Sequence, residues 1–443
     1  MTALVVDRWQ RRGACPGLSA PMLTGDGLLV RLRPSGTVTL DAFAGLCAAA
    51  RRYGNGVVEI TARGSIQIRG LTSASAPRFA DAVATLGIAA EDGLPIIANA
   101  LAGLDPGELL DASLVAAELR DALKQTSLAA GLAPKVSVVI DGGGTLRLDD
   151  VSADVRLHAD QINGKVAFRV GVGGDGASAR ELGVVAAPHG VEAAMRLLDV
   201  VAQKGRIARA RDVLAAEGIG VFRHAFSWCQ TSTSAAQTGI KDGEGQNKPG
   251  YDGAGACNDV IGPHGLRDGS LAYGVGPAFG HAEAATLEQL TAIAASAGAT
   301  GLRAAPGRAF MIIGLAQETV PPFAAEAERL GFIVRHDDPR RRVVACAGAP
   351  VCGSAYIPAR AMAPRIAELL SESADGSSML HISGCTKGCA HAAAAALTVV
   401  GMPDGSALVA GGCARDEPFA IVSEGELAAA IKEHLQRREA SHV

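Results

Sequence analysis

Four cysteines stand out by spacing. Cys346 and Cys352 form a C-x5-C pair in CAGAPVC, Cys385 and Cys389 form a C-x3-C pair in GCTKGC, and 32 residues separate the pairs. Four thiolates are the ligand set of a 4Fe-4S cluster. They also suit structural zinc, although zinc knuckles favour tighter spacing at both ends; thiols with no shared ligand are the third reading. Gly348, Pro350, Gly384 and Gly388 interrupt the two segments, and glycine's tolerance of positive φ lets a backbone turn closely around a bulky inorganic core. His381 and His391 flank the second pair and read either as ligands or as ordinary hydrogen-bonded histidines. The remaining cysteines (Cys15, Cys47, Cys229, Cys257 and Cys413) are scattered and read as small buried hydrophobes.

The elements that must position these residues show an internal repeat. Residues 54–88 and 298–332 align without a gap at an offset of 244, with nine of 35 positions identical. The matches include Gly70-Leu71 with Gly314-Leu315, Pro77 with Pro321 and Phe79-Ala80 with Phe323-Ala324. Each copy reads as strand, turn and a helix opening near the proline. A second echo links 164–176 with 405–414, both a strand leading into glycines. The chain is therefore read as two similar halves, α+β in class and built of α/β sandwich units with pseudo-twofold symmetry. The expected domains are a ferredoxin-reductase-like half-domain at 1–90, an α/β domain at 91–228, a polar linker at 229–258, a second copy of the half-domain at 259–335 and a cluster-binding α/β domain at 336–443. The motif GVGGDG (171–176) matches the G-x-G-x-x-G fingerprint but lies outside a first strand–helix turn, and reads as a structural turn. The run Leu380-His381-Ile382 reads as a strand that breaks at Ser383-Gly384, directly ahead of the second cysteine pair.

Composition narrows the class. The 443 residues carry a net charge of −4 and are 48% hydrophobic but only 4% aromatic, which gives no basic footprint for nucleic acid. No window reaches the roughly 18 uncharged apolar residues of a membrane helix, and the N-terminus lacks a signal-peptide core. A cytoplasmic protein with no membrane partner is expected, and nine cysteines in that compartment point to metal or catalysis before disulfides.

The two cysteine motifs, together with the duplicated half, resemble the nitrite and sulfite reductase superfamily over nearly the whole chain. The pattern T-x-R-x-x-x-Q appears as Thr61, Arg63 and Gln67, R-x-R as Arg31 and Arg33, and the segment LAPKVSVVID (132–141) is similar to the lysine-bearing strand, carrying Lys135. Within the superfamily, the opening GACPGLSAPMLTGDGLLVRL (13–32) and GCTKGCAH look like the precorrin-3B synthase branch. That resemblance implies a 4Fe-4S cluster on Cys346, Cys352, Cys385 and Cys389. It implies monooxygenation of the tetrapyrrole precorrin-3A at C-20 with lactone closure, using dioxygen and an NAD(P)H-linked electron donor or reductase, in aerobic cobalamin biosynthesis. A second, non-haem iron is a further candidate for oxygen activation, although no 2-His-1-carboxylate triad is legible.

A polycarboxylate substrate needs fixed cations, and the planar fork of arginine meets a carboxylate in two parallel hydrogen bonds. Arg31, Arg33, Arg63, Gln67, Lys135 and Lys387 are the expected substrate-binding residues, although each arginine alone reads equally as a solvated surface charge. The second copy carries Gly307 and Met311 where the first has Arg63 and Gln67, the asymmetry expected if one of two duplicated sites keeps the ligand. The alternative is a sirohaem-dependent sulfite or nitrite reductase, in which Cys389 would bridge cluster and haem iron. Against it, the family's lysine pair is here Lys135 and Ser137, which removes a cation from a small-anion site. An electron carrier or zinc-stapled binding protein is the non-catalytic alternative, and it leaves the arginines without a task.

Overall fold

The computed structural model describes residues 16–228, 259–371 and 379–441. The expected linker 229–258 and Cys15, Cys229 and Cys257 lie outside the described residues. Two ferredoxin-like sheets repeat one strand order. In the first, Met22–Thr24, Gly27–Leu32, Ile66–Leu71 and Val57–Ile60 follow one another; in the second, Gly262–Gly265, Leu271–Val275, Ala309–Leu315 and Gly301–Ala305 do the same. A fifth strand, His281–Glu283, completes the first sheet although it belongs to the second copy.

The two copies are not separate bodies. Helices Leu40–Tyr53 and Ser75–Thr85 from the first copy and Ala284–Ser296 and Val320–Arg329 from the second bury their apolar faces in one core. At its centre Phe43 meets Phe310 edge-on, ring centroids 5.2 Å apart. The hairpin tips of the two copies also touch: Arg63 pairs with Pro306 in an isolated bridge, and Gly307 N donates to Ala62 O at 3.0 Å.

The remaining two units repeat a second topology. Ile96–Ala98, Val138–Asp141 and Ala153–Ile162 are parallel neighbours, followed by antiparallel Lys165–Gly174 and Arg180–Ala186. Val343–Ala345, Leu380–Ser383, Ala395–Met402, Gly405–Gly412 and Ala420–Val422 follow the same two-parallel, two-antiparallel pattern. The duplicated α+β reading is borne out. The fingerprint-like GVGGDG ends the strand Lys165–Gly174 and turns into an antiparallel neighbour, so no helix follows it. One sequence expectation is corrected: Lys135 lies in a turn before the strand Val138–Asp141, not on it.

Phe310 is 1% exposed and serves both copies. Phe310→Ala should cost about 3–5 kcal/mol, the range for truncating a buried aromatic residue. Denaturant unfolding should show the two copies lost in one shared transition; separate transitions would show that they do not stabilise one another.

Candidate active site at a four-cysteine cradle

The parallel pairing of Val343–Ala345 with Leu380–Ser383 sets Ala345 opposite Ile382. Both chains therefore leave the sheet at the same edge, and both cysteine segments begin there. Cys346 N donates to Ile382 O at 3.1 Å, and Gly384 N donates to Cys346 Sγ at 3.1 Å. The first loop folds on itself through Cys352 N to Gly348 O (2.8 Å), and reaches the second through Tyr356 N to Gly384 O (2.8 Å). Lys387 Nζ donates to Ser354 Oγ at 2.8 Å, spanning both loops. The glycines are required here: Gly348 has φ +67°, and a Cβ on it would stand 2.3 Å from Ala359 N. A Cβ on Gly384 would stand 2.6 Å from that of Ala355.

The cysteine side chains lie within electrostatic reach of one another. Burial pushes the Cys346 thiol up; N–H groups of Gly384 and Gly348 oppose that, and nearby Cys352 and Cys389 add to it. Cys389 reaches solvent in part, yet burial raises it too, followed by Cys385 and Cys352, with Lys387 and Lys135 opposing. Four thiols held together cannot all ionise without a compensating cation, and ligation by metal supplies it. Four thiolates with an N–H···S contact are a donor set that fits an iron–sulfur cluster. Among the described residues no three His, Cys, Asp or Glu side chains form a ready-made site for a single metal ion, so the expected second, non-haem iron gains no ligand set from them. His381 and His391 stack edge-on with centroids 5.7 Å apart.

The first ferredoxin-like sheet presents a polar row to this cradle. Arg31, Gln67, Glu59 and His281 are successive cross-strand partners on four strands. Arg31 Nε donates to Gln67 Oε1 at 3.0 Å, Gln67 Nε2 to Glu59 Oε2 at 2.7 Å, and Arg360 from the helix after the first cysteine loop pairs with Glu59. Arg69, buried, reaches Asp26 at 3.1 Å and donates to Val351 O inside the cysteine loop at 3.4 Å. A Cβ on Gly25 would stand 2.4 Å from Gly353 N, so sheet and loop meet backbone to backbone.

The expected substrate residues are thus only partly gathered. Arg31 and Gln67 lie in the polar row, and the charges of Lys387 and Lys135 are felt at Cys389. Arg33 instead donates to Gly93 O (3.0 Å), and exposed Arg63 to Ser152 O (2.8 Å). Ser137 is fully buried, its N–H bonded to Asp154 at 2.9 Å. Sequence reasoning missed Glu59, Arg69 and Arg360. Glu59 and Arg69 were legible, since they sit among apolar residues on the strands around Gln67; Arg360 carries no such signal.

Comparison with known proteins agrees with this architecture. The family model for the nitrite/sulfite reductase ferredoxin-like half domain matches residues 20–86. The chain is 40% identical over 422 residues to a precorrin-3B synthase from Sinorhizobium sp., spanning 95% of this chain and 87% of the relative. It is 24% identical to a ferredoxin–nitrite reductase of Synechococcus elongatus, over 86% of this chain and 77% of that one. The solved structure of the Mycobacterium tuberculosis NirA protein shares the fold, with a TM-score of 0.71 at 20% identity over 91% of this chain and 79% of that chain.

His281 closes the polar row, and burial, followed by the Arg360 cation, pushes its pKa down to about 4. The folded protein therefore holds it neutral, while the unfolded chain takes up a proton below about pH 6.5. Stability should be complete above pH 6.5 and fall toward pH 4, by up to about 1.4 kcal/mol per unit for this group. Melting temperatures across that window should show a shallower slope for His281→Gln; an unchanged slope would remove His281 from the account.

Proposed function

The chain belongs to the precorrin-3B synthase family, and on that premise we propose that it is the monooxygenase that converts precorrin-3A to precorrin-3B. The reaction hydroxylates C-20 and closes a lactone. One oxygen atom of dioxygen enters the macrocycle and the other leaves as water, with two electrons and two protons drawn from an external, NAD(P)H-linked reductant. The observation that carries the reading is the 40% identity to a precorrin-3B synthase over 95% of the chain. The four-thiol cradle beside a cation-lined sheet supports it chemically.

Cys346, Cys352, Cys385 and Cys389 are the residues that hold the 4Fe-4S cluster in this reading. The bound cluster supplies one-electron transfer next to the substrate. The remaining roles belong to the chain's own side chains. Arg31 and Lys135 take substrate carboxylates, Lys387 spans the cysteine loops and adds positive charge at the rim, and Gln67 fixes Arg31. Glu59 orients that amide, because accepting from Gln67 Nε2 turns Oε1 toward Arg31. Arg33 and Arg63 stay candidates on the periphery, each holding a backbone carbonyl that a substrate carboxylate could replace. The sirohaem reductase reading is weaker, since Ser137 offers its site no cation and is buried against Asp154.

Anaerobically purified protein should contain iron and acid-labile sulfide but no acid-extractable sirohaem. With precorrin-3A, a reductant and ¹⁸O₂, its product should gain one labelled oxygen. Stoichiometric sirohaem with no labelled product would replace the proposal with the reductase. Cys385→Ser should lose iron, sulfide and turnover together. Cys413→Ser should lose none of them, because Cys413 engages Asp416 and not the cradle.

A further inference from the structure

The second copy of the repeat keeps a cation at its hairpin tip, displaced by one residue. Where the first copy reads Arg63-Gly64, the second reads Gly307-Arg308. Arg308 has φ +63°, the left-handed region in which a non-glycine residue is strained, and its counterpart Gly64 shows that glycine would serve the turn. The long side chain is accommodated by another glycine: a Cβ on Gly280 would stand 2.8 Å from Arg308 Cδ. Backbone strain retained around one side chain points to a task for that side chain.

The surroundings indicate which task. Arg308 Nη2 donates to Ala390 O at 2.8 Å, the carbonyl next to Cys389. Among the described residues this is the one hydrogen bond its guanidinium makes, and no carboxylate pairs with it. The contrast with two other arginines removed from solvent is informative. Arg156 has Asp149 and Asp141 beside it, and Arg303 has Asp111 and Glu108, whereas burial acts on Arg308 with no acid opposing it. His381, whose ring nitrogens both lack a hydrogen-bond partner among the described residues, lies within the field of the same charge. A fixed cation with unengaged N–H donors and no carboxylate partner among the described residues is suited to receive an anion.

We propose that Arg308 receives one carboxylate of the tetrapyrrole on the Cys389 side of the site, so that the duplicated half without the polar row still contributes a substrate contact. The inference rests on the precorrin-3A reading above. It makes the substrate span both copies, Arg31 holding it from the first and Arg308 from the second.

The test is Arg308→Gly, which suits the left-handed backbone and so removes the side chain without stressing the turn. Precorrin-3A titrated anaerobically into the cluster-loaded protein should bind at least about tenfold more weakly than to wild type, the loss of one charged hydrogen-bond pair. Melting temperature, iron and sulfide should be unchanged. Arg308→Lys, which keeps the charge but not the fork, should fall between the two. Wild-type binding by Arg308→Gly overturns the inference. Loss of binding together with iron also overturns it, making Arg308 a clamp on the cysteine segment. A wild-type protein that binds no precorrin-3A defeats the functional reading itself, and a wild-type protein that binds it separates that failure from one confined to Arg308.

Discussion

The shared core between the two ferredoxin-like copies is the constraint on which the site depends. Each copy alone is a small sheet with two helices, and each would leave an apolar face in water; Phe43 against Phe310, with Leu302, Ile312, Phe79 and Phe323 around them, removes both faces at once. That burial brings the two hairpin tips into contact at Arg63 and Pro306 and sets an α/β unit beside each sheet. Arg63 then reaches Ser152 O on one side and Arg308 reaches Ala390 O on the other. The cradle's own geometry comes from its parallel strand pair, and the shared core sets which faces of the two sheets are left to meet the neighbouring units.

Symmetry of backbone does not carry over to chemistry. The counterparts of Gln67 and Arg69 in the second sheet are Met311 and Ile313, and both pack with Ala100, Leu101 and Leu146 from the first α/β unit. The loops that correspond to the cysteine segments close on themselves there. Asn99 bonds Asp141 and Leu146 O, and Asp105 holds Thr145. Glu59 is matched by Arg303, which donates to the carbonyls of Ala100 and Ala102 at 3.2 and 2.8 Å. One junction is thus filled with apolar side chains and satisfied backbone, while the other keeps charge and thiols.

Much of this was legible in the amino-acid sequence because its causes are local. The offset of 244 placed the repeated strands, and the two cysteine spacings placed the loops, since a parallel strand pair ending in C-x5-C and C-x3-C has one edge to offer. The replacement of Gln67 by Met311 in the second copy marked the two junctions as chemically unlike. What was not legible depends on register and on distant partners. Arg33 and Arg63 share the motif pattern of Arg31, but tertiary placement gives their forks to backbone carbonyls. Ser137 follows Lys135 by two residues, yet it turns inward to Asp154. Arg360 matters only because its helix, beginning just past the first cysteine loop, reaches Glu59 across more than three hundred residues of chain.

A buried carboxylate in a site for a polyanion looks unfavourable until the cations around it are counted. Arg31 through Gln67, Arg69 and Arg360 all converge on Glu59 or its partners, and like charges packed so closely repel one another in a medium of low dielectric. Without an internal anion these side chains would splay into solvent, and each would have to be ordered again as substrate bound. Glu59, with Asp26 on Arg69, keeps them assembled while leaving a positive excess, the electrostatic condition for meeting an anion with little reorganisation. Gln67 is the necessary insulator. As a neutral amide it transmits the orientation set by Glu59 to Arg31 without transmitting the negative charge. A glutamate there would neutralise the Arg31 cation, and a methionine, as in the second copy, would remove this contact to it.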